Sequence, residues 1–288
     1  MQSARGFEYG VRHILSPQSG LISDVLLGTI ALTPKELEFL FDIGGIYLNE
    51  KRITKDCLIP EGAYLRVHTK PRRFPKPNCQ LQKLIVFSNE EFVVINKPSG
   101  LPVHASVDNL KENLQFYLEQ ELNCQLYVTH RLDVPTSGLI LFAKSVFFQK
   151  TFNDLLTQRK VKKNYRARVE GQNLKVGLLK HYMEPSPRAP KKVSLMEQPG
   201  WQECLLSINS ISLIGDEFSE LKIELLTGRT HQIRAQLSAE LHPIVGDVSY
   251  GARKIFSEEK IELEACGLEF LHPNENKIYS FKTGPSSC

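Results

Sequence analysis

Apolar residues fall in short runs along the 288-residue chain, and the runs change character near residue 75. Before that point, Asp24-Val25-Leu26-Leu27 and on to Ala31 predicts a helix with Ser23 at its cap. Thr33-Pro34 opens a second helix over residues 35–43, with threonine as cap and proline at the first helical position. Gly44-Gly45 ends it. Ile46-Tyr47-Leu48 predicts a strand, Asn49-Glu50-Lys51 a turn, and Tyr64-Leu65-Arg66-Val67-His68 alternates as a strand. Further on, Phe92-Val93-Val94-Ile95-Asn96 and residues 139–143 read as buried strands. Residues 110–122 predict a helix with Leu114, Leu118 and Leu122 on one face, and residues 147–158 predict another. Strands are expected over 163–169, 205–211, 221–226 and 277–281, and a short helix over 230–237. The elements show no βαβ rhythm. The expected class is therefore α+β: a mixed, largely antiparallel sheet with flanking helices and loops around a central cleft, after a small α/β domain. Pro71-Arg72-Arg73-Phe74-Pro75-Lys76-Pro77 is an extended basic linker, which divides the chain into 1–75 and 76–288.

Composition fits a soluble globular protein, with 41% hydrophobic and 24% charged residues. A net charge of +4 does not by itself argue for nucleic acid. The distribution says more. Arg159, Lys160, Lys162, Lys163, Arg166 and Arg168 lie close together with no acidic residue among them. Arg188, Lys191 and Lys192 are set among prolines, and Lys70, Arg72, Arg73 and Lys76 form a third cluster. Such clusters can bind phosphate, although any one alone reads as a solvated surface. The six cysteines form no C-x-x-C pair and read as scattered reduced thiols. No apolar run suits a signal peptide or a membrane span, so a cytoplasmic location is expected.

The candidate chemistry starts at His130-Arg131-Leu132-Asp133-Val134-Pro135-Thr136-Ser137-Gly138. Pro, Thr, Ser and Gly after the aspartate favour a turn, which presents a carboxylate on a loop just before a strand. An isolated Arg-x-Asp is more often a surface turn. Three further segments change that balance: Val94-Ile95-Asn96-Lys97-Pro98-Ser99-Gly100-Leu101-Pro102-Val103-His104, then Lys163-Asn164-Tyr165-Arg166-Ala167-Arg168-Val169-Glu170-Gly171, and finally Leu226-Thr227-Gly228-Arg229-Thr230-His231-Gln232-Ile233-Arg234-Ala235-Gln236-Leu237, continued by His242-Pro243-Ile244-Val245-Gly246-Asp247-Val248-Ser249-Tyr250-Gly251. In order and wording they closely resemble the RluA-type pseudouridine synthases, from about residue 85 to the C-terminus. Upstream, the two helices followed by Gly45-Ile46-Tyr47-Leu48-Asn49-Glu50-Lys51-Arg52-Ile53 and Ile59-Pro60-Glu61-Gly62-Ala63-Tyr64-Leu65-Arg66-Val67 are similar to the S-four-like RNA-binding domain. The second helix departs from that pattern, carrying Glu36, Glu38 and Asp42 where the family has basic residues.

The resemblance implies isomerisation of a uridine within ribosomal RNA or tRNA. The N-glycosidic bond breaks, the uracil rotates, and a C-glycosidic bond forms at the same anomeric carbon. Asp133 matches the catalytic aspartate, which can stabilise the positive charge at that carbon, attack it, or take a neighbouring proton. Arg234 matches the partner of that carboxylate, with a fork suited to two-pronged binding. Tyr165 matches the active-site aromatic, a stacking face for the base. Arg131 matches the residue that fills the place of the flipped uridine. Arg229, His231, Lys163, Arg188 and Lys191 are expected to contact RNA, the last two from a basic segment, residues 181–193, too irregular for a strand or helix. His130 is assigned to the scaffold, and Asn96 and Lys97 either frame the loop or touch RNA. The resemblance implies RNA as partner and no cofactor; a monomer without metal or membrane is expected. His104, His130, His231 and His242 lack metal-ligand spacing. H-R-x-D differs from the kinase H-R-D, and no G-x-G-x-x-G or D-F-G accompanies it. The remaining alternative is a non-catalytic RNA-binding protein derived from a synthase.

Overall fold

The computed structural model describes residues 10–77, 80–186, 189–253 and 260–284. It divides into two compact units, one of Met1–Lys76 with His104–Tyr117, the other of Pro77–Val103 with Leu118–Cys288.

In the first unit, helices Ile22–Thr29 and Pro34–Ile43 pack on an antiparallel sheet. Its strand order is Val11–Leu15, Tyr64–His68, Ile46–Leu48 and Lys51–Ile53. Ile22, Leu26, Leu40, Ile46, Leu65 and Val67 form the core. Thr33 caps the second helix in a reciprocal box: Glu36 N–H donates to its hydroxyl, and the Glu36 carboxylate accepts the Thr33 N–H at 2.7 Å. The first helix starts differently from the sequence expectation. Leu21 holds the cap position, and Ser23 lies inside the helix because the Asp56 carboxylate takes its N–H at 3.1 Å.

One row of this sheet runs His13, Arg66, Tyr47, Arg52 across all four strands. Tyr47 donates its hydroxyl proton to Val107 O at 2.8 Å, and Arg52 donates to Ser106 O. Arg72 grips Asp108 with two bonds of 3.0 and 2.8 Å, and Arg73 grips Glu112. Burial would raise the Asp108 pKa, but hydrogen bonds from Arg72 and Ser106 outweigh it and hold the carboxyl well below its usual range. These pairs seat His104–Tyr117 in the first unit, where the sequence reading had assigned it to the second. They also consume two cations of the basic linker. The helix expected from residue 110 begins at Leu114. Asn109 takes the N–H groups of Lys111 and Glu112 in a turn, and Asn113 takes that of Phe116 at 2.9 Å.

The second unit is built on an 11-stranded sheet. In spatial order its main path is Val193–Ser194, Gly177–Met183, Gln202–Ile214, Phe218–Leu225, Val161–Glu170, Leu263–His272, Ser137–Ala143, Phe92–Lys97 and Ile85–Ser88. Lys277–Lys282 and Tyr127–Val128 pair off this path. All pairings are antiparallel except that of Ser137–Ala143 with Leu263–His272. The class is α+β, as the interspersed elements predicted. Helix Val146–Thr157, capped by Ser145, lays Phe148 and Phe152 against Phe92, Leu139, Leu141 and Phe270. Its buried aromatic rings make the core of this unit stiff and apolar. The segment 181–193 is more regular at its ends than expected. His181–Met183 completes a strand because its backbone pairs with Gln202–Cys204, and Val193 pairs with Met183. Among the described residues, no helix is long and apolar enough to cross a membrane. Cys57, Cys124 and Cys204 are free, whereas Cys266 is disulfide-bonded, which departs from the expected set of reduced thiols.

Candidate active site

Asp133 sits in the turn that enters strand Ser137–Ala143. The turn closes through Thr136 N–H to Asp133 O at 3.1 Å. A second loop braces it: Gly100 N–H donates to Val134 O at 2.9 Å, and the Ser99 hydroxyl donates to Pro135 O at 2.6 Å. Lys97 stands behind both loops, fully buried, with its amine on Pro98 O (2.9 Å), Leu101 O (2.8 Å) and Val134 O (3.2 Å). Three carbonyls match the three donors of an ammonium. Burial nevertheless pulls its pKa down to about 7, against the opposing pull of the nearby Asp133 charge. His130 is half-buried. Its Nε2 accepts Leu141 N–H at 3.2 Å, and burial drives its pKa down to about 3, so it is a neutral part of the scaffold.

Sheet register sets the level of the site. Lys97, Gly138, Ala265, Tyr165 and Ile223 lie in one row across five neighbouring strands. Gly138 has φ +109°, and a Cβ there would lie 2.3 Å from Ala265 O, so only glycine lets these strands meet. Tyr165 stands two strands from Gly138 and is buried. Its phenol pKa is pushed up by burial and further by the negative charge of Asp133.

Arg234 comes from the helix Gln232–Ala239. A buried amide chain fixes that helix: Gln232 accepts from Thr227 (2.8 Å) and Arg229 N–H (3.0 Å) and donates to Gln236 (2.9 Å), which reaches His181 at 3.2 Å. The Arg234 guanidinium lies over the Tyr250 ring at 4.8 Å. Its fork goes to Asp247, with Nε to Oδ2 at 2.6 Å and Nη2 to Oδ1 at 2.9 Å, and Nη2 also meets the Ser249 hydroxyl at 2.8 Å. Asp133 receives one bond, from Nη1 at 3.2 Å. The two-pronged pairing expected for Asp133 therefore belongs to Asp247. Burial works against the Arg234 charge, and Asp247, ahead of Asp133, more than restores it.

The other expected residues divide clearly. His231 is in contact, its Nε2 3.9 Å from Asp133 Oδ1 and its Nδ1 3.0 Å from the Tyr250 hydroxyl. Lys191 reaches the same hydroxyl through its backbone N–H at 2.8 Å. Arg131 is exposed and touches Thr230 at 3.5 Å. The Lys163 amine lies beside Gly228, and burial lowers its pKa. Arg229 is exposed. Arg188 lies outside the described residues. Arg131, Lys163, Arg229 and Lys191 form no salt bridge among the described residues, whereas Arg166 pairs with Glu264 at 2.7 Å and Lys162 with Glu269 at 3.6 Å. Asp247, Ser249 and Tyr250 were not singled out from the sequence. Their signal was the Gly246-Asp247 step, where a Cβ on Gly246 would meet Lys260 O at 2.4 Å. Elsewhere, Glu91, His272 and Glu275 bring three ligand-type atoms within 4.8 Å of one another. His272 Nδ1 already accepts Glu275 N–H at 3.2 Å, and Nε2 lies 2.9 Å from Glu91.

The sequence pattern described as RNA pseudouridylate synthase matches residues 91–239, which includes Asp133, Tyr165 and Arg234. "RNA pseudouridine synthase 6, chloroplastic" of Arabidopsis thaliana is 34% identical over 262 residues, covering 81% of this chain and 55% of that protein. The chain thus spans about half the length of this plant relative. "Ribosomal large subunit pseudouridine synthase C" of Pasteurella multocida is 31% identical over 286 residues, covering 91% of this chain and 83% of that protein. The solved structure of human RNA pseudouridylate synthase domain containing 4 shares the fold with a TM-score of 0.57 at 22% identity, over 71% of this chain and 89% of that one. The chain belongs to the RluA-type RNA pseudouridylate synthase family.

Proposed function

We propose that this chain isomerises uridine to pseudouridine in structured RNA, with Asp133 as the catalytic carboxylate. The observation that carries the proposal is the setting of Asp133. It is a half-buried carboxylate on a braced turn, with Arg234 on one oxygen, His231 facing the other and Tyr165 close enough for its charge to act on the phenol.

Breaking the glycosidic bond builds positive charge at the anomeric carbon, and an ionised carboxylate held there lowers that barrier. Arg234 holds Asp133 through one bond, to Oδ2, while Oδ1 has His231 Nε2 facing it at 3.9 Å, too far for a hydrogen bond, so this oxygen is the one proposed to meet the sugar. Tyr165 offers the uracil a ring to stack on, and its neutral phenol lies at the level of the loop. Arg131 fills the gap left by the flipped nucleotide. Arg131, Lys163, Arg229 and Lys191 are proposed to meet phosphate, supported by their lack of carboxylate partners among the described residues, in contrast to Lys162 and Arg166. Bonds are exchanged within the substrate, so the reaction needs no redox group, and metal-free turnover by a monomer in the cytoplasm is part of the proposal.

Ribosomal RNA is the first substrate to test and tRNA the second, since the Pasteurella relative is named for the large ribosomal subunit. In the first unit, Arg66, Arg72, Arg73 and Lys111 already hold Glu50, Asp108, Glu112 and Asp42. That favours a role in holding His104–Tyr117 over broad phosphate binding. The test is pseudouridine mapping on unmodified ribosomal RNA and tRNA incubated with the purified chain and EDTA. New pseudouridine at defined positions is expected. RNA binding without any new pseudouridine would instead support the non-catalytic reading.

A further inference from the structure

Resting on the synthase reading, we infer that Tyr250 and His231 are positioning residues that tie the segment carrying Lys191 to the carboxylate of Asp133. Three contacts form a line: Lys191 N to Tyr250 Oη at 2.8 Å, Tyr250 Oη to His231 Nδ1 at 3.0 Å, and His231 Nε2 to Asp133 Oδ1 at 3.9 Å.

Counting protons gives the line a direction. A backbone N–H only donates, so the Tyr250 oxygen accepts from Lys191; the inference assigns the single Tyr250 proton to His231 Nδ1, its other partner. An imidazole that accepts at Nδ1 carries its proton at Nε2 when neutral. That N–H then faces the Asp133 carboxylate. The charged groups around His231 are Asp133, Asp247, Arg234 and Lys191, and burial is the largest influence, favouring the neutral ring. His231 also holds φ +59°, a left-handed backbone uncommon outside glycine, at the start of the helix that bears Arg234. Strain of this kind persists only where neighbours dictate it. Tyr250 touches Lys191 and His231, and its ring also lies beneath the Arg234 guanidinium at 4.8 Å. Seating the Lys191 segment on RNA is thereby inferred to set the Tyr250 hydroxyl and through it the imidazole, whose Nε2 closes from 3.9 Å onto Asp133 Oδ1 to orient the carboxylate. Turnover depends on this line, and RNA affinity does not.

The experiment measures single-turnover rate and RNA Kd for the full chain and four variants on an RNA that the wild type modifies. Tyr250→Phe keeps the ring under Arg234 and loses the hydroxyl, and its rate should fall about tenfold for one lost hydrogen bond, with Kd unchanged. His231→Asn suits the left-handed backbone and can still accept from Tyr250, but its short amide does not reach Asp133. It should fall as far as Tyr250→Phe. His231→Gln places an amide N–H near the Nε2 position and should recover part of the rate. Wild-type rates in Tyr250→Phe and His231→Asn would overturn the inference, as would losses confined to Kd or tracking a lowered Tm. Asp133→Asn separates the two levels: if it is inactive while Tyr250→Phe is normal, only the positioning line is wrong. If it too is fully active, the synthase reading of Asp133 has failed.

Discussion

A double-mutant cycle on stability separates the two carboxylates that meet Arg234. In the structure, Asp247 takes two short bonds, 2.6 and 2.9 Å, from a guanidinium whose side chain is 7% exposed, and its own carboxylate is 2% exposed. Charge-assisted hydrogen bonds contribute about 1.5–3 kcal/mol each, and breaking a buried pair from one side costs about 3–5 kcal/mol. The Arg234–Asp247 coupling should therefore be about 3–5 kcal/mol. Asp133 offers one bond of 3.2 Å and is 21% exposed, so solvent screens it. Its coupling should be about 1 kcal/mol. The assay is urea unfolding at pH 7 of Arg234→Met, Asp247→Asn, Asp133→Asn and the two double variants. Arg234→Met keeps the length of the side chain, and the Asn variants keep carboxylate shape. Arg234→Met and Asp247→Asn should each be strongly destabilising, Asp133→Asn nearly neutral. A coupling to Asp133 as large as that to Asp247 would refute the assignment of the fork.

Tyr165→Phe should bind RNA as the wild type does and lose about 10²-fold or more in rate if the phenol takes part in proton transfer, read by single-turnover kinetics; an unchanged rate would reduce Tyr165 to its stacking face. Lys97→Met removes the amine that bridges three carbonyls; neutral, that amine donates two hydrogen bonds at about 1 kcal/mol each, so above pH 7 the variant should lose about 2 kcal/mol. Because the folded pKa of Lys97 is pulled down to about 7 from 10.5, the unfolded chain binds more protons between those values. Its contribution to stability therefore rises with pH across that window and is lost as pH falls towards 7. The difference in unfolding free energy between wild type and Lys97→Met, followed from pH 7 to 10, should show this slope. Gly138→Ala should cost about 3 kcal/mol through clash and backbone strain, whereas Gly200→Ala, at φ +77° with nothing within 4 Å, should cost about 1 kcal/mol.

The parts of the site that sequence revealed are those carried by contiguous wording. The Asp133 turn, the Tyr165 strand and the Arg234 helix each announce themselves within a dozen residues. Thr33-Pro34 with Glu36 likewise marks a helix start that local hydrogen bonding alone secures. What stayed hidden depends on long-range pairing. Nothing near Asp247 says that it faces Arg234, 13 positions earlier and across a turn. The placement of His104–Tyr117 rests on Arg72, Arg73 and Tyr47, which lie 36 to 60 positions away. Ser23 looked like a cap until Asp56, 33 positions on, supplied a better acceptor. Lys97 was open to either reading, because burial, not spacing, makes it a bracket for the Asp133 loop.

The most direct measurement compares wild type and Asp133→Asn for pseudouridine formed in one target RNA under single-turnover conditions, with RNA Kd measured on the same preparations. The amide keeps the shape and most neighbours of the carboxylate and removes its charge. A catalytic Asp133 predicts defined pseudouridine with wild type, loss of at least about 10²-fold in rate for the variant, and nearly equal Kd values. A variant that forms pseudouridine at the wild-type rate would contradict the role given to Asp133.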